Sequence, residues 1–340
     1  MIYYDVTKSA AAKHRSGLVR VNRRLREALG DAVRESTGLA DAIAAGPGDW
    51  WLTTELFSTE ERPGLGDFLR TRRCRAGAVF YDAIPLKLPQ ITWPQSVARH
   101  PGYMKLLAQF DRVWAISQAS KDELLEYWRW LGLAEVPPVD VLPLGADLGA
   151  TPRVTTPRRS EGTPLLLCVG IVEPRKNQTL LLDVCEELWG EGLNFELRVL
   201  GRVNVHFGAP IAARMKTLAK KYPQLRHIEG AGDAELAASY ASARVTVCPT
   251  IAEGCGLPLL ESLWAGVPCV GSDLPALLEN ASGGGCLSVT AGDKAAWKAA
   301  LRRVLTDDAL VARLAEEART RELPTWAGTA AVLREGILRH

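Results

Sequence analysis

Residues 245–273 read VTVCPTIAEGCGLPLLESLWAGVPCVGSD, and this stretch decides the fold. An apolar run, VTVCPT, gives way to a loop with Gly254 and Gly256, then to the helical period LPLLESLWAG, then to a second apolar run, PCVGSD. Strand, loop, helix and strand in that order form a right-handed βαβ unit. In a parallel sheet the loop after a strand lies at the carboxyl edge, where open α/β folds bind their ligands. Gly254 and Gly256 let the backbone come close to a ligand. Pro258 suits the first helical position, and the unbonded N–H groups there attract negative charge.

The same alternation runs outward from this stretch. Upstream stand PLLLCVG, the helical NQTLLLDVCEELWGEG, FELRVLG, PIAARMKTLAKKY, RHIEGAG and DAELAASYASA; downstream, GCLSVT precedes helical segments to the end of the chain. Such alternation predicts a parallel, doubly wound sheet, with Asn177 and Asp233 as helix N-caps. The N-terminal half has the same grammar in weaker form. GLVRVNRRLREAL and SKDELLEYWRWLG read as helices; GDWWLTTEL, AGAVFYDAIP, FDRVWAIS and VDVLPLG read as strands. Gly, Pro, Thr and charge without a hydrophobic period mark a linker near residues 145–163. The expected class is α/β, with two Rossmann-like doubly wound domains facing a central cleft. They cover residues 1–155 and 156–322, and a closing helix over 323–340 packs back towards the first.

Composition narrows the function. The apolar fraction of 47% and charged fraction of 24% are those of an ordinary globular protein. A net charge of +2 argues against nucleic acid as a partner. Lys8, Lys13, Arg15, Arg20, Arg23, Arg24 and Arg26 make the N-terminal stretch locally basic, either as a solvated helix face or as a surface for anions or a membrane. The seven cysteines include no C-x-x-C pair, and Cys168, Cys248 and Cys269 fall in apolar strand-like runs. That usage fits a reducing compartment. No apolar run reaches the length of a bilayer span, and the start MIYYDVTKS is too polar for a signal peptide. The expected location is cytoplasmic, with peripheral contact at the inner membrane face as the one membrane role left open. His14, His100, His206, His227 and His340 lack metal-ligand spacing, so no metal is expected. Oligomeric state is not legible.

Two groups of charged residues flank the expected carboxyl edge. Glu253 and Glu261 bracket the glycine loop, and a carboxylate accepts both protons of a vicinal diol, such as a ribose or hexose offers. Glu261 also fits simple complementation of a helix N-terminus. In VGIVEPRKNQ, residues 169–178, a strand ends at Gly170 and a helix starts after Asn177, which puts Arg175 and Lys176 on a loop. Adjacent cations there suit a diphosphate, Arg by its fork and Lys as a point charge.

These elements together resemble the retaining GT-B glycosyltransferases of family 4, over nearly the whole chain. EGCGLPLLE (253–261) is similar to the family's E-x7-E signature, with Cys255 where an aromatic is usual. VGIVEPRKNQ resembles its E-P-R-K loop, with Ile171 where many relatives have Arg. Glu279 matches the next recurrent acidic position. RSGLVRVNRRL resembles a T-G-I-x-R loop and helix start, with Gly17 and Arg20 in place. FYDAIPL resembles an H-D-x-I-P turn, with Tyr81 for the His and Asp82 kept. AISQASKDEL is similar to a serine-bearing loop, although Ser117 and Ser120 equally suit plain helix caps.

The resemblance implies transfer of a hexose or deoxyhexose from a nucleoside-diphosphate sugar to a hydroxyl of a saccharide or lipid-linked acceptor, with retention and without metal or cofactor. GDP-, UDP- and dTDP-linked donors all fit. It implies catalytic roles for Glu253, Lys176, Arg175 and Asp82. Donor contacts fall to Gly17, Arg20, Gly170, Gly254, Cys255, Gly256, Leu257, Glu261 and Glu279. Bacterial surface-polysaccharide or glycoconjugate assembly is the expected setting. A nucleotide-sugar epimerase or hydrolase on the same frame stays open, as does a non-catalytic nucleotide-sugar-binding subunit. A nicotinamide-dependent dehydrogenase is disfavoured, because neither half has G-x-G-x-x-G after a first strand with an acidic residue about 20 positions on.

Overall fold

In the computed structural model, residues 1–11, 16–149, 151–157 and 162–339 are described. Contacts divide the chain into two units, Met1–Gly145 with Pro324–His340, and Ala146–Leu323. The first dividing point precedes the expected 155/156 boundary. The segment 151–154 joins the second unit because Trp264 Nε1 donates to Thr151 O and Val154 N donates to Trp264 O, both at 3.1 Å. Lys13, His14, Arg15 and His340, all named above, lie outside the described residues.

The first unit is built on six parallel strands: β1 (Ile2–Asp5), β2 (Val33–Ser36), β3 (Trp50–Thr53), β4 (Arg75–Phe80), β5 (Arg112–Ala115) and β6 (Val139–Val141), in the order β2-β1-β3-β4-β5-β6. β1 and β2 are elements the sequence did not reveal. The second unit has β7 (Leu165–Val169), β8 (Glu196–Leu200), β9 (Leu225–Ile228), β10 (Val245–Cys248), β11 (Cys269–Ser272) and β12 (Cys286–Val289), also all parallel, in the order β12-β11-β10-β7-β8-β9. Both orders are doubly wound. Chain direction across each sheet reverses at one place, between β1 and β3 in the first unit and between β7 and β10 in the second. Crevices open at such points, outside the carboxyl ends of the strands.

Helices cover both faces, which is why the central strands read as unbroken apolar runs rather than alternating ones. In the second unit, helix Gln178–Gly190 buries Leu181, Val184, Cys185 and Leu188, and helix Lys294–Thr306 buries Trp297, Leu301 and Val304 in the same core. Each such side chain contributes about 1.5–3 kcal/mol. In the first unit Trp51, Trp114 and Trp128 are fully buried. Tyr103 is buried too, whereas Trp93 and Trp130 are exposed. The last helix, Trp326–Leu338, belongs to the first unit: Thr329 Oγ1 donates to Pro143 O at 2.7 Å, and Arg334 bonds Leu29 O.

Two of the expected caps differ in detail. Asn177 holds the N-cap position of Gln178–Gly190 in a left-handed backbone (φ 52°), without a side-chain cap bond. Gly232, not Asp233, is the N-cap of helix Asp233–Ser242, and Asp233 complements the first turn instead. Several basic N-terminal residues have acidic partners: Lys8 with Glu61, Arg23 and Arg24 with Glu27, and Arg26 with Glu35. Among the described residues no helix is long and apolar enough to cross a membrane.

Candidate functional site

The carboxyl ends of β7 and β10 meet at the switch point of the second sheet, and the charged residues singled out in the sequence gather there. After β7 the chain turns at Gly170, forms a short 3-10 turn at Pro174–Lys176 and enters helix Gln178–Gly190. After β10 it makes the loop 249–256 and enters helix Leu257–Trp264, so that Pro258 is the second helical residue. The two loops are stitched by backbone: Ile251 N donates to Arg175 O at 2.9 Å. A narrow cleft between them is lined by Val169, Lys176, Thr250, Glu253, Gly256 and Leu277.

Lys176 Nζ donates to Glu253 Oε2 at 2.6 Å, and its stem lies over Gly170. Burial would raise the Glu253 carboxyl, but the ammonium of Lys176 and the guanidinium of Arg175 outweigh it and hold the group below the usual carboxylate range. Arg175 is held on several sides. Its Nε and Nη2 lie 3.0 and 2.8 Å from Glu173 Oε1; its Nη1 lies 3.0 Å from Ala252 O and 3.4 Å from Glu253 Oε2. Glu173 Oε2 in turn accepts from Asn204 Nδ2 at 2.9 Å, on the loop after β8.

The helix start is shaped for close approach. Gly256 caps it at φ +88°, and a Cβ there would lie 2.3 Å from Leu277 Cδ2, so glycine is required on both counts. Gly254 and Cys255 are buried beside it, and Asn280 Nδ2 donates to Cys255 O at 2.7 Å. Burial pushes the Cys255 thiol up to about 12, so it stays neutral. Glu261 is the fifth residue of the helix and only 3% exposed. Its Oε2 accepts from the buried Tyr240 hydroxyl at 2.9 Å, so it does more than balance a helix end. Glu279 is exposed on helix Pro275–Ala281.

The remaining candidates belong to the first unit. Gly17 opens helix Gly17–Leu29 and is exposed; a Cβ there would meet nothing within 4 Å. Ser16 caps this helix, and Arg20 lies one turn in. Asp82 follows β4, where its Oδ1 accepts from Ile84 N at 3.0 Å and its carbonyl meets His100 Nε2 at 2.9 Å. Tyr81, which stands where the resemblance expects His, points into the core and donates to Thr54 O at 2.7 Å. Ser117 caps helix Gln118–Trp130, and Ser120 Oγ donates to Tyr81 O at 2.6 Å. Among the described residues no three His, Cys, Asp or Glu side chains cluster as a metal site.

Sequence reasoning missed Glu173, Asn204, Thr250 and Tyr240. Thr250 Oγ1 reaches Arg175 O and Ala252 O at 3.0 and 2.8 Å. Glu173 stands beside the cation pair and Thr250 in the loop of Glu253, so both were within reach of the sequence; Asn204, after β8, and Tyr240, on helix Asp233–Ser242, are distant in sequence and carry no local signal.

Residues 155–321 match the family model described as glycosyl transferases group 1. The serotype-specific mannosyltransferase WbdA of Escherichia coli is 28% identical over 227 residues, 63% of this chain and 28% of that protein. The D-inositol 3-phosphate glycosyltransferase of Kineococcus radiotolerans is 30% identical over 265 residues, 70% of this chain and 59% of that protein. The chain thus spans less than two thirds of either relative's length. Among solved structures, Anabaena HepE in complex with UDP-glucose superposes with a TM-score of 0.75 at 13% identity, covering 98% of this chain and 99% of that one. Sucrose-phosphate synthase from Thermosynechococcus elongatus gives 0.72 at 18% identity, covering 99% and 98%. These likenesses establish the fold as GT-B, with two Rossmann-like units.

Proposed function

We propose that the chain transfers a hexose or deoxyhexose from a nucleoside-diphosphate sugar to an acceptor hydroxyl of a saccharide or glycolipid, with retention of anomeric configuration. The observation that carries this reading is the Lys176–Glu253 pair at the switch point, beside the open start of helix Leu257–Trp264. A mobile cation and free helix N–H groups suit a diphosphate, and carboxylates suit sugar hydroxyls. The family match over residues 155–321 supports the same chemistry for this unit.

In the proposed reaction the bond from the anomeric carbon to the diphosphate oxygen breaks through an oxocarbenium-like transition state. The acceptor oxygen bonds to the same face, and its proton passes to an oxygen of the departing phosphate. Lys176 and the amides at Gly256 and Leu257 stabilise the charge growing on the leaving group. Glu253 binds donor-sugar hydroxyls, and Glu261 the ribose. Gly170, Gly254, Cys255 and Glu279 shape the donor pocket. The roles of Gly17 and Arg20 towards the donor phosphate, and of Asp82 towards the acceptor, rest on the resemblance alone. No metal takes part. The donor is GDP-, UDP- or dTDP-linked.

Thermal-shift binding against GDP, UDP, dTDP and their sugars tests the reading on wild type, Lys176→Ala and Glu261→Ala. A stabilising shift with one base, lost in both variants, supports it and names the nucleotide. No shift with any nucleotide would discard it. Release of nucleoside diphosphate at full rate with water alone would instead favour a hydrolase on the same frame.

A further inference from the structure

Resting on that reading, we infer that Arg175 is a positioning residue, not a diphosphate ligand: with Glu173 and Asn204 it clamps together the three loops that follow β7, β8 and β10, leaving Lys176 as the cation that moves onto the diphosphate. The two cations look equivalent in sequence and are not equivalent in space. Arg175 spends its guanidinium on Glu173 Oε1, Ala252 O and the edge of Glu253. Glu173 spends its second oxygen on Asn204. Asn204 is fixed in turn, its amide donating to Val172 O at 3.0 Å and its Oδ1 accepting from His206 N at 2.9 Å. The planar fork is therefore oriented before any ligand arrives by partners on two loops, with the third loop holding Glu173 through Asn204, the geometry in which Arg differs most from Lys.

Charge balance points the same way. Glu173, Arg175, Lys176 and Glu253 sum to zero, so an arriving diphosphate has no surplus cation to meet within this cluster. It must open one of the two pairs. Freeing Arg175 would break contacts to Glu173 and Ala252 and strand the buried half of Glu173. Freeing Lys176 breaks the bond to Glu253, and that carboxylate keeps Arg175 beside it. Lys176 also has the flexible stem for the movement, lying over a glycine. The clamp then keeps Glu253 at the height of the donor sugar while its former partner turns to the phosphates.

The test compares Arg175→Gln, Glu173→Gln, the double variant and Lys176→Gln by two measurements. The first is calorimetric affinity for GDP and UDP against GDP-mannose and UDP-glucose. Arg175→Gln and Glu173→Gln should keep nucleoside diphosphate affinity within about threefold while losing about tenfold or more of the added affinity for the sugar form, and the double variant should be no worse than either single one. Lys176→Gln should lose about tenfold or more with both ligand types. Equal loss of GDP or UDP affinity in Arg175→Gln and Lys176→Gln would overturn the proposal. The second measurement, hydrogen exchange at the Ile251 amide without ligand, needs no donor. Exchange should quicken about tenfold or more in both clamp variants, with Arg175→Lys only partly protective. Unchanged exchange overturns the clamp even if wild type binds no nucleotide, a result that would by itself remove the donor reading.

Discussion

Lys176 Nζ lies 2.6 Å from Glu253 Oε2, so the candidate diphosphate cation and the candidate sugar carboxylate neutralise each other in the ligand-free chain. Both side chains are only about one-seventh exposed, at 13% and 14%, and this pair is less screened than a surface one. The donor must exchange the pair for its own contacts. Lys176→Ala should weaken nucleoside diphosphate binding about 10- to 100-fold, the range for losing one charge-assisted hydrogen bond. It also removes the larger of the two cationic influences that lower the Glu253 carboxyl, so that group should titrate higher. Carbon-detected NMR titration of the Glu253 carboxyl in wild type and variant checks the second effect; no upward movement would contradict it.

What was legible in the sequence was what is encoded locally. The loop 249–256 declares itself because Gly254, Gly256 and Pro258 fix a strand-to-helix turn by backbone chemistry alone. β7 and β10 declare themselves because a strand covered on both faces is nearly apolar throughout, and β8 by Leu197, Val199 and Leu200 among its charged residues. β1 and β2 do not. Ile2–Asp5 is an inner strand next to the sheet edge but four residues long and ends in a buried Asp, while Val33–Ser36 is the edge strand with exposed Arg34 and Glu35. In sequence Arg175 reads as half of a cation pair because its neighbour is Lys176. Its partner Ala252 and the Asn204 that steadies Glu173 come from other loops, and no window along the chain contains them.

Acid should destabilise the first unit through His100. The ring is 6% exposed, and burial lowers its pKa to about 4 from 6.5, although the Asp82 carbonyl at 2.9 Å favours the charged form. A folded pKa below the unfolded one gives stability that is complete above pH 6.5 and lost as pH falls through the folded value. The unfolded chain takes up a proton that the folded chain refuses. The loss between pH 6.5 and 4 should reach about 3 kcal/mol. His100→Gln keeps a donor for Asp82 O and should flatten the urea-unfolding free energy over that window. An equally steep profile in the variant would rule His100 out as its source.

Arg62 holds two buried carboxylates at once, Asp5 Oδ2 at 2.9 Å and Glu55 Oε2 at 2.6 Å, all three side chains at most 4% exposed. Glu55 also receives the amides of Lys8 and Ser9 at 2.7–3.0 Å, so the ion group fixes the loop leaving β1 at that sheet's switch point. Arg62→Met strands two negative charges and should cost about 3–5 kcal/mol in denaturant unfolding. Adding Asp5→Asn and Glu55→Gln should recover part of that loss, because the stranded charge, more than the missing attraction, is what destabilises. No recovery in the triple variant would point instead to the shape of the guanidinium.

Gly256 meets two separate constraints, and they can be measured apart. At φ +88° any L side chain is strained, by about 1–2 kcal/mol. The Cβ would also lie 2.3 Å from Leu277 Cδ2, an overlap worth about 1–3 kcal/mol more in a packed core. Gly256→Ala should therefore destabilise the second unit by about 2–5 kcal/mol in all. Leu277→Ala alone should cost about 2–5 kcal/mol by leaving a cavity. Combined, the new methyl enters space the leucine has vacated, so the double variant should cost less than the sum of the two, by about the size of the overlap. The backbone strain remains in both backgrounds, and the shifted helix start should still weaken nucleoside diphosphate binding in the double variant. Strict additivity in chemical unfolding would mean that Leu277 yields freely and that the left-handed backbone alone demands glycine at this position.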